Sequence, residues 1–351
     1  MVRFISISSD FDIEAPMTII SPIRTTREAP PVVASDDLLA LVKAAGDTLR
    51  LDVLRVLRDE SFGVLELCHI FDTAQPGMSH HLKVLSNAGL VTTRREGNSV
   101  FYRRNHPHTD QNNDQLIKSL FASVDDLVLG SAIQKRIEEV NRQRAETSEL
   151  FFADHNPKKF KQQQDMIAAF DVYRNQVVEV LHKTAFEQTQ AALEIGPGEG
   201  EFLPVLGQKF TRVVALDNSQ SMLAKAKSYC ADKNLNNIEF VFNDSSYCYS
   251  QPQGFDCVVI NMVLHHTPSP AQIIADVSAA LKPGGRFIVC ELCSHNQDWA
   301  REACGDLWLG IDPNDLSRWT QDNYLHENQN MYFALRNGFQ IQVRQFTKIL
   351  M

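Results

Sequence analysis

The sequence predicts an α/β protein of two domains, a helical head closed by a β hairpin and a C-terminal domain with a mainly parallel sheet, joined by a helical connector. Three observations support this prediction. Helical periodicity runs from about residue 35 to Gly89, and the segment "LVTTRREGNSVFYRR" then switches to strand-forming residues. After residue 188, short apolar runs alternate with helical stretches. A chain of 351 residues also exceeds one ordinary domain core.

The composition excludes several classes of protein. No stretch approaches the ~18 to 20 consecutive apolar residues that span a bilayer, so we expect no membrane segment. Asp10, Asp12 and Glu14 lie where a signal peptide keeps its apolar core, which predicts a cytoplasmic protein. The odd number of cysteines, seven, predicts free thiols. A net charge of −9 argues against a globally basic surface but permits one basic face.

The chain divides into four predicted segments. Residues 1–34 carry several prolines and form a flexible N-terminal extension, and residues 35–107 form the head. Residues 108–187 form the helical connector, and residues 188–351 form the C-terminal domain. Apolar residues recur every three or four positions in the connector at Leu116, Leu120, Val124, Leu127, Ile133, Ile137 and Val140. This stripe predicts that the connector joins two chains into a homodimer.

The segment "QPGMSHHLKVLSNAGL" predicts a helix that contacts nucleic acid. Met78, Leu82 and Leu85 share one face and can pack inward. The remaining polar side chains suit phosphate oxygens and groove edges, and they are Gln75, Ser79, His80, His81 and Lys83. The following hairpin carries four arginines against Glu96, and they are Arg94, Arg95, Arg103 and Arg104. We select Arg94 and Arg95 as DNA contacts; a solvated polar helix with a charged turn is the alternative.

The region from Leu49 to Arg103 resembles the ArsR/SmtB family of winged-helix repressors, most closely in "SHHLKVL". The resemblance implies a winged helix-turn-helix domain that binds inverted repeats in double-stranded operator DNA as a dimer. Many members of that family sense metals through a Cys-x-Cys pair. This chain has Cys68-His69-Ile70 instead, and adjacent helix positions point about 100° apart, so we expect no metal site.

The segment "ALEIGPGEGEF" predicts a ligand-binding turn after a buried strand. Gly196, Gly198 and Gly200 let the chain turn tightly and bring backbone amides against a ligand. Asp217 ends the next apolar run, where a carboxylate can accept both hydroxyls of a ribose. Asp244 follows the third run, at a position suited to an adenine amino group. A solvated carboxylate at a strand end is the alternative for each acid taken alone.

From about residue 165 to the C-terminus the chain resembles the class I S-adenosylmethionine (SAM)-dependent methyltransferases. The resemblance is carried by Glu194 with the glycines, by Asp217, by Asn243-Asp244, and by "FDCVVINMVLHH" and "LKPGGRF". It implies a Rossmann-like fold with a terminal antiparallel hairpin around Asn337-Gly338. It also implies a pocket for SAM or S-adenosylhomocysteine (SAH). The implied binding residues are Glu194, Gly196, Gly198, Gly200, Asp217, Asn218, Asn243, Asp244, Asn261 and His265.

Two functions remain open for this combination. The order of segments resembles SAH-responsive regulators of methionine-cycle genes, which implies a repressor whose second domain is a sensor. The alternative is an active methyltransferase of a small molecule with a fused DNA-binding head. Asn261-Met262-Val263-Leu264 lacks the Pro-Pro-aromatic motif of nucleic-acid aminomethyltransferases. We predict no catalytic residue, because the His265-His266 pair and the Cys290-x-x-Cys293 spacing are more typical of packing.

Overall fold

The computed structural model describes residues 35–96, 99–106, 113–154 and 157–349. The predicted flexible extension lies outside the described residues, as do residues 97 and 98 of the predicted hairpin. None of the described helices is long and apolar enough to cross a membrane. All seven cysteines are described and are free thiols, which confirms that expectation.

The head contains four helices, a short strand and a two-stranded hairpin. Its elements are α1 Ser35–Ala45, α2 Thr48–Val56, β1 Phe62–Gly63, α3 Val64–Phe71, α4 Gln75–Asn87, β2 Val91–Glu96 and β3 Ser99–Arg104. Strand β3 pairs with both β1 and β2 in antiparallel fashion. Met78, Leu82 and Leu85 of α4 are fully buried, because their spacing places them on the inner face of the helix. The predicted winged helix-turn-helix domain is confirmed.

Four helices link the head to the sheet domain. They are α5 Asp114–Asp125, α6 Ser131–Asp154, α7 Pro157–Ala168 and α8 Phe170–Lys183. The inner face of α5 differs in part from the predicted stripe, since Ile117, Phe121 and Val124 are buried while Leu116 is 41% exposed. This inner face shares Val124 with the predicted stripe, and it packs into the core of the head. The first half of the connector is therefore part of the head.

The C-terminal domain alternates strands and helices up to its last two strands. The strands are β4 Ala191–Ile195, β5 Arg212–Asp217, β6 Ile238–Phe242, β7 Phe255–Asn261, β8 Leu281–Leu292, β9 Leu325–Ala334 and β10 Gln340–Lys348. The helices are α9 Leu203–Lys209, α10 Gln220–Asp232, α11 Pro270–Ala280, α12 Trp299–Cys304 and α13 Pro313–Asp322. Short 3-10 turns lie at Ser245–Ser250 and Leu264–His266.

The seven strands form one mixed sheet in the order β6-β5-β4-β7-β8-β10-β9. Strands β4 to β8 pair in parallel, whereas β10 runs antiparallel to both β8 and β9. Apolar side chains cover both faces of the sheet, in two separate clusters. This confirms the predicted Rossmann-like fold with a terminal hairpin. The carboxyl ends of β4, β5, β6 and β7 meet at one edge, where ligands bind in such sheets.

The head packs against the sheet domain through the wing and through α2. On the wing, Arg103 donates to Asp312, at an N–O distance of 2.9 Å, and also pairs with Asp315 at the start of α13. At the end of α2, Asp59 accepts from Arg318 at 2.8 Å. The ring of Phe101 on β3 lies edge-on to Trp308, with 5.5 Å between ring centroids. The two domains are thus joined by ion pairs and by an aromatic contact.

Candidate functional site

The glycine turn after β4 is shaped for close approach of a ligand. Gly196 has a φ of 67°, and a Cβ there would lie 2.5 Å from Val263 Cγ2. Gly198 has a φ of 55°, and nothing lies within 4 Å of the position of its Cβ. Only glycine adopts the left-handed region without strain. The turn therefore packs tightly on Val263 at one residue and faces open space at another.

Polar side chains follow β5 and β6 at the same edge of the sheet. Asp217 is half-buried, and its Oδ1 accepts from the Ser219 backbone N–H at 2.8 Å. Burial raises the pKa of Asp217 to about 6, although that hydrogen bond opposes the rise. Asn243 and Asp244 are exposed, and Asp244 Oδ1 accepts from the Ser246 backbone N–H at 2.9 Å. The structure thus brings these predicted ligand-binding side chains, with exposed Asn218, to one cavity wall.

Glu194 and Asn261 form a buried pair at the base of the turn. Asn261 Nδ2 donates to Glu194 Oε1 at 3.1 Å. Burial raises the pKa of Glu194 to about 8, and the hydrogen bond from Asn261 opposes that rise. Glu194 Oε2 and Asn261 Oδ1 are buried without a hydrogen-bond partner among the described residues. Buried polar atoms are normally satisfied, so these oxygens fit the ammonium group of an amino acid moiety such as that of SAM or SAH.

The loop after β7, residues 262–269, forms the opposite wall, and we call it the ceiling loop. Met262 begins it with a φ of 55°, in the left-handed region that non-glycine residues rarely adopt. Met262 and Val263 line the cavity, whereas Leu264 is fully buried in the core. Consequently only two of the three apolar residues that follow Asn261 face the cavity.

His265 and His266 lie at the inner end of the ceiling loop. His265 Nδ1 lies 2.5 Å from Glu291 Oε1 on β8, and its Nε2 lies 3.9 Å from Asp306 Oδ1. Burial opposes protonation of His265, but Glu291 and Asp306 outweigh it and raise its pKa to about 9. Burial and the neighbouring His265 lower the pKa of His266 well below its usual value. Sequence reasoning missed Glu291 and Asp306, because neither belongs to a local motif.

One cavity of about 1150 Å³ connects these parts. The glycine turn, the ends of β5 and β6 and the ceiling loop line it. Beyond the turn it continues past side chains of the connector and of α12, which are Ile167, Phe170, Tyr173 and Cys304. Cys290 and Cys293 are buried, and neither is among its lining residues. The cavity can therefore hold an adenosyl ligand and has further room beside it.

A second candidate site lies on α4 of the head. Ser79, His80 and Lys83 are exposed, as is Gln75 at the start of the helix. His81 differs from the expectation, because it is half-buried with its Nδ1 3.7 Å from Asp47 Oδ1. It follows buried Met78 by three residues and therefore turns toward the core side of the helix.

The wing is less cationic than predicted, because carboxylates in the protein neutralise part of its charge. Arg104 is 2% exposed, and it pairs with Asp125 at 2.6 Å and lies over the Phe121 ring. Arg103 is held by the carboxylates of α13. Arg94 is half-buried and donates to the Gly310 carbonyl at 3.0 Å, whereas Arg95 is exposed. The four arginines predicted on the hairpin therefore do not form one solvent-exposed cationic surface.

Comparisons with known proteins divide along the same boundary. A helix-turn-helix domain model matches residues 46–94, and a methyltransferase domain model matches residues 193–289. The arsenical resistance operon repressor of Staphylococcus xylosus is 36% identical over 80 residues, which cover 23% of this chain and 77% of that protein. Ubiquinone biosynthesis O-methyltransferase of Coxiella burnetii is 30% identical over 165 residues, which cover 42% of this chain and 70% of that protein.

Other matches cover smaller shares. The chain spans less than two thirds of the length of three further curated relatives, between 4% and 62%. Among solved structures, a SAM-dependent methyltransferase from Methanosarcina mazei is 20% identical, with a TM-score of 0.41. That match covers 49% of this chain and 98% of the other chain.

Proposed function

Because the chain belongs to the ArsR-type helix-turn-helix proteins and carries a SAM-dependent methyltransferase domain, we propose that it is a DNA-binding transcriptional repressor of methionine- and SAM-cycle genes. Its methyltransferase domain acts as a sensor and takes SAH or SAM as effector. It binds double-stranded operator DNA as a homodimer in the cytoplasm. The observation that carries this proposal is the ceiling loop, which lines the cavity on one side and is bonded to the head on the other.

Arg144 of α6 is the central tie between the ceiling loop and the head. It is 8% exposed, and it donates to both carboxylate oxygens of Glu66 at 2.7 and 2.8 Å. The same guanidinium donates to the Ser61 carbonyl at 2.8 Å and to the Pro268 carbonyl of the ceiling loop at 3.4 Å. Glu66 in turn accepts from the Gly63 N–H and so caps α3. One rigid fork of donors therefore connects the loop to the helix that precedes α4.

Further hydrogen bonds hold the rest of the loop. Ser269 Oγ donates to Glu60 of the head at 2.7 Å, and Ser148 Oγ of α6 donates to the His266 carbonyl at 3.3 Å. Trp308 Nε1 donates to the Thr267 carbonyl at 2.8 Å, and the Trp308 ring contacts Phe101 of the wing. A ligand that favours one position of the ceiling loop therefore favours one position of the head. The ligand can change the free energy of DNA binding by no more than the difference between its binding free energies for the two positions of the head.

The apolar surface above the glycine turn favours SAH over SAM. Met262 and Val263 lie on the ceiling side of Gly196, where the resemblance to methyltransferases places the sulfur. SAH is a neutral thioether, whereas SAM is a sulfonium cation. The free-energy cost of moving a sulfonium cation from water to a site lined by apolar side chains is far larger than the cost for a neutral thioether. We therefore assign SAH as the stronger effector.

The DNA-contacting surface is the exposed side of α4, with Gln75, Ser79, His80 and Lys83, and with Arg95 on the wing. In a dimer two such helices enter successive major grooves, so the operator is an inverted repeat with half-sites about one helical turn apart. His81 and Arg94 contribute less, because both have contacts within the protein.

The homodimer is proposed to form through exposed apolar side chains of α1 and α5. These side chains are each at least 41% exposed and are Leu38, Leu39, Val42 and Leu116. Clustered exposed apolar groups of this kind mark association surfaces. We expect sedimentation at micromolar concentration to give a dimer, and a monomer would contradict the assignment.

The deciding experiment measures operator affinity of the wild type and of Asp217→Ala, with and without saturating SAH. Loss of the carboxylate removes acceptors for two ribose hydroxyls, so SAH should bind ~2 to 4 kcal/mol more weakly. The effect of SAH on operator affinity should disappear in the variant, while ligand-free operator affinity stays unchanged. Asp232→Ala, an exposed site at the end of α10, is the matched control. If wild-type operator affinity is indifferent to both SAH and SAM, the sensor assignment is wrong.

An active small-molecule methyltransferase is the second candidate. It is favoured by the room beside the adenosyl site, where Phe170 and Tyr173 are among the residues that line the cavity. That space fits an aromatic or other apolar acceptor beside the sulfur. Formation of SAH from SAM, measured with pools of small acceptors and dependent on Asp217, would favour this function over the sensor.

A further inference from the structure

Two imidazoles and a carboxylate converge at the inner end of the cavity. His265 Nε2 lies 3.9 Å from Asp306 Oδ1, and His266 Nδ1 lies 3.7 Å from the same oxygen. One ligand atom from each of the three residues lies within 4.8 Å of the other two. All three residues also line the cavity, although none of their side chains is more than 12% exposed.

The surroundings of His265 match those of a metal-ligating histidine. Its Nδ1 is bonded to Glu291 Oε1 at 2.5 Å, which leaves Nε2 directed toward Asp306. Glu291 is itself fixed, because it accepts from the backbone N–H groups of Leu264 and Leu292 at 2.8 and 2.7 Å. A histidine that binds a metal through one ring nitrogen usually donates the N–H of the other to such a carboxylate. This hydrogen bond sets the tautomer and the ring orientation.

The charges of this cluster also favour a cation. Glu291 and Asp306 are both buried, with relative exposures of 0% and 2%. Two carboxylates in a dry environment are stabilised by a compact divalent charge, which would displace the proton from His265 Nε2 and leave both imidazoles neutral, the form that binds such an ion. The donor set of two nitrogens and one oxygen suits zinc and related transition metals better than it suits calcium or magnesium.

We propose that His265, His266 and Asp306 bind a divalent transition-metal ion of the zinc class, with the fourth position open to the cavity. Ligand atoms about 2.0 Å from a tetrahedral ion lie about 3.3 Å apart, so each imidazole nitrogen approaches Asp306 Oδ1 by roughly half an ångström on binding. A water molecule or a donor atom of a bound small molecule completes the site. This proposal does not depend on the sensor function, and it ties the ceiling loop, which carries His265 and His266, to Asp306.

The test uses the full-length protein, treated with chelator, dialysed and titrated with Co²⁺ as an optical probe. We expect one Co²⁺ per chain, with visible ligand-field bands of a tetrahedral site, no thiolate charge-transfer band, and displacement by Zn²⁺. The spectrum thereby separates nitrogen and oxygen donors from thiolates in the wild type, whatever the behaviour of the variants. Absence of saturable Co²⁺ binding overturns the proposal.

Variants locate the ion. His266→Gln and Asp306→Asn should weaken Co²⁺ binding by more than the roughly 10- to 100-fold that loss of an outer-sphere partner causes. Cys68→Ser, in the segment where related repressors bind metals, is the matched control and should bind Co²⁺ as the wild type does. SAH binding by each variant reports its folding and tests the adenosyl site separately. A thiolate band that disappears in Cys68→Ser would place the ion in the head and overturn the proposal.

Discussion

The two ends of the cavity are built differently. At the adenosyl end, Asp217 and Asp244 follow strands, and each accepts a hydrogen bond from a backbone N–H two residues later in its own turn. At the ceiling end, the carbonyls of residues 265–268 accept from Leu307 and Trp308 and from two side chains of α6. The first end can bind a ligand without moving its neighbours, whereas the second cannot move without disturbing the head. Recognition and transmission are therefore assigned to different residues, which can be altered separately.

The largest expected effect comes from breaking the transmitting end. Arg144→Ala leaves Glu66 without its cationic partner at the domain boundary, and because Glu66 is half-buried we expect the loss to approach the ~3 kcal/mol of a fully buried pair. We expect a lower free energy of unfolding in urea, and an operator affinity that no longer responds to SAH. SAH binding itself should remain.

The same helix offers the control for that substitution. Lys135 is exposed on this helix and does not line the cavity, so Lys135→Ala should change neither the stability nor the response to SAH. If Arg144→Ala keeps the wild-type response of operator affinity to SAH, transmission through the ceiling loop is wrong.

A smaller effect is expected at the DNA surface. His80→Ala, and likewise Ser79→Ala, removes an exposed polar group from α4 and should weaken operator binding by ~1 to 3 kcal/mol. SAH affinity should remain unchanged, because neither residue lines the cavity. His182→Ala, an exposed histidine on α8, serves as the control in a gel-shift series at fixed salt. Unaltered operator binding by both α4 variants would remove α4 from the DNA contact.

The smallest effect is a pH dependence at the recognising end. The pKa of Asp217 is about 6, and the deprotonated carboxylate is the form that accepts from ribose hydroxyls. Ionised Asp217 should therefore contribute a fall of about tenfold in SAH affinity between pH 7 and pH 5. Glu194, with a pKa of about 8, is protonated in the ligand-free protein over this interval, so any proton that it releases on accepting the ligand ammonium adds the same slope to the wild type and to the variant. Calorimetry with Asp217→Asn should give a weaker affinity that lacks the tenfold contribution, and a wild-type slope in the variant would contradict the assignment.

The fold of both domains could be predicted because each depends on local patterns. The inner face of α4 is indicated by the spacing of Met78, Leu82 and Leu85. The alternation of strands and helices after residue 188 predicts a sheet with helices on both faces. The register of α5 could not be predicted reliably, because Leu116 and Ile117 are both apolar. Only the position of the head decides which of the two is buried.

The site could be predicted only where its residues follow strands. Asp217 and Asp244 lie at strand ends, and a parallel sheet brings such ends together without further information. Arg144, Glu291 and Asp306 gave no signal, since each acts through partners distant in the chain. The prediction of a cationic hairpin failed at Arg103 and Arg104 for the same reason. The carboxylates that neutralise them, Asp125, Asp312 and Asp315, are distant in the chain and come close only after folding.

The contact of the wing with α13 limits how this architecture can be divided or recombined. Arg103 finds its carboxylates in the other domain, so a head that keeps α5 and α6 but is cut free of the sheet domain would present that guanidinium, and that of Arg94, to solvent. Such a fragment would gain positive charge at its DNA-facing end and bind any sequence more tightly at low salt. Grafting this head onto a different sensor would require the transfer of Asp312 and Asp315 as well. The two domains therefore cannot be exchanged independently by cutting the chain at the boundary that the sequence shows.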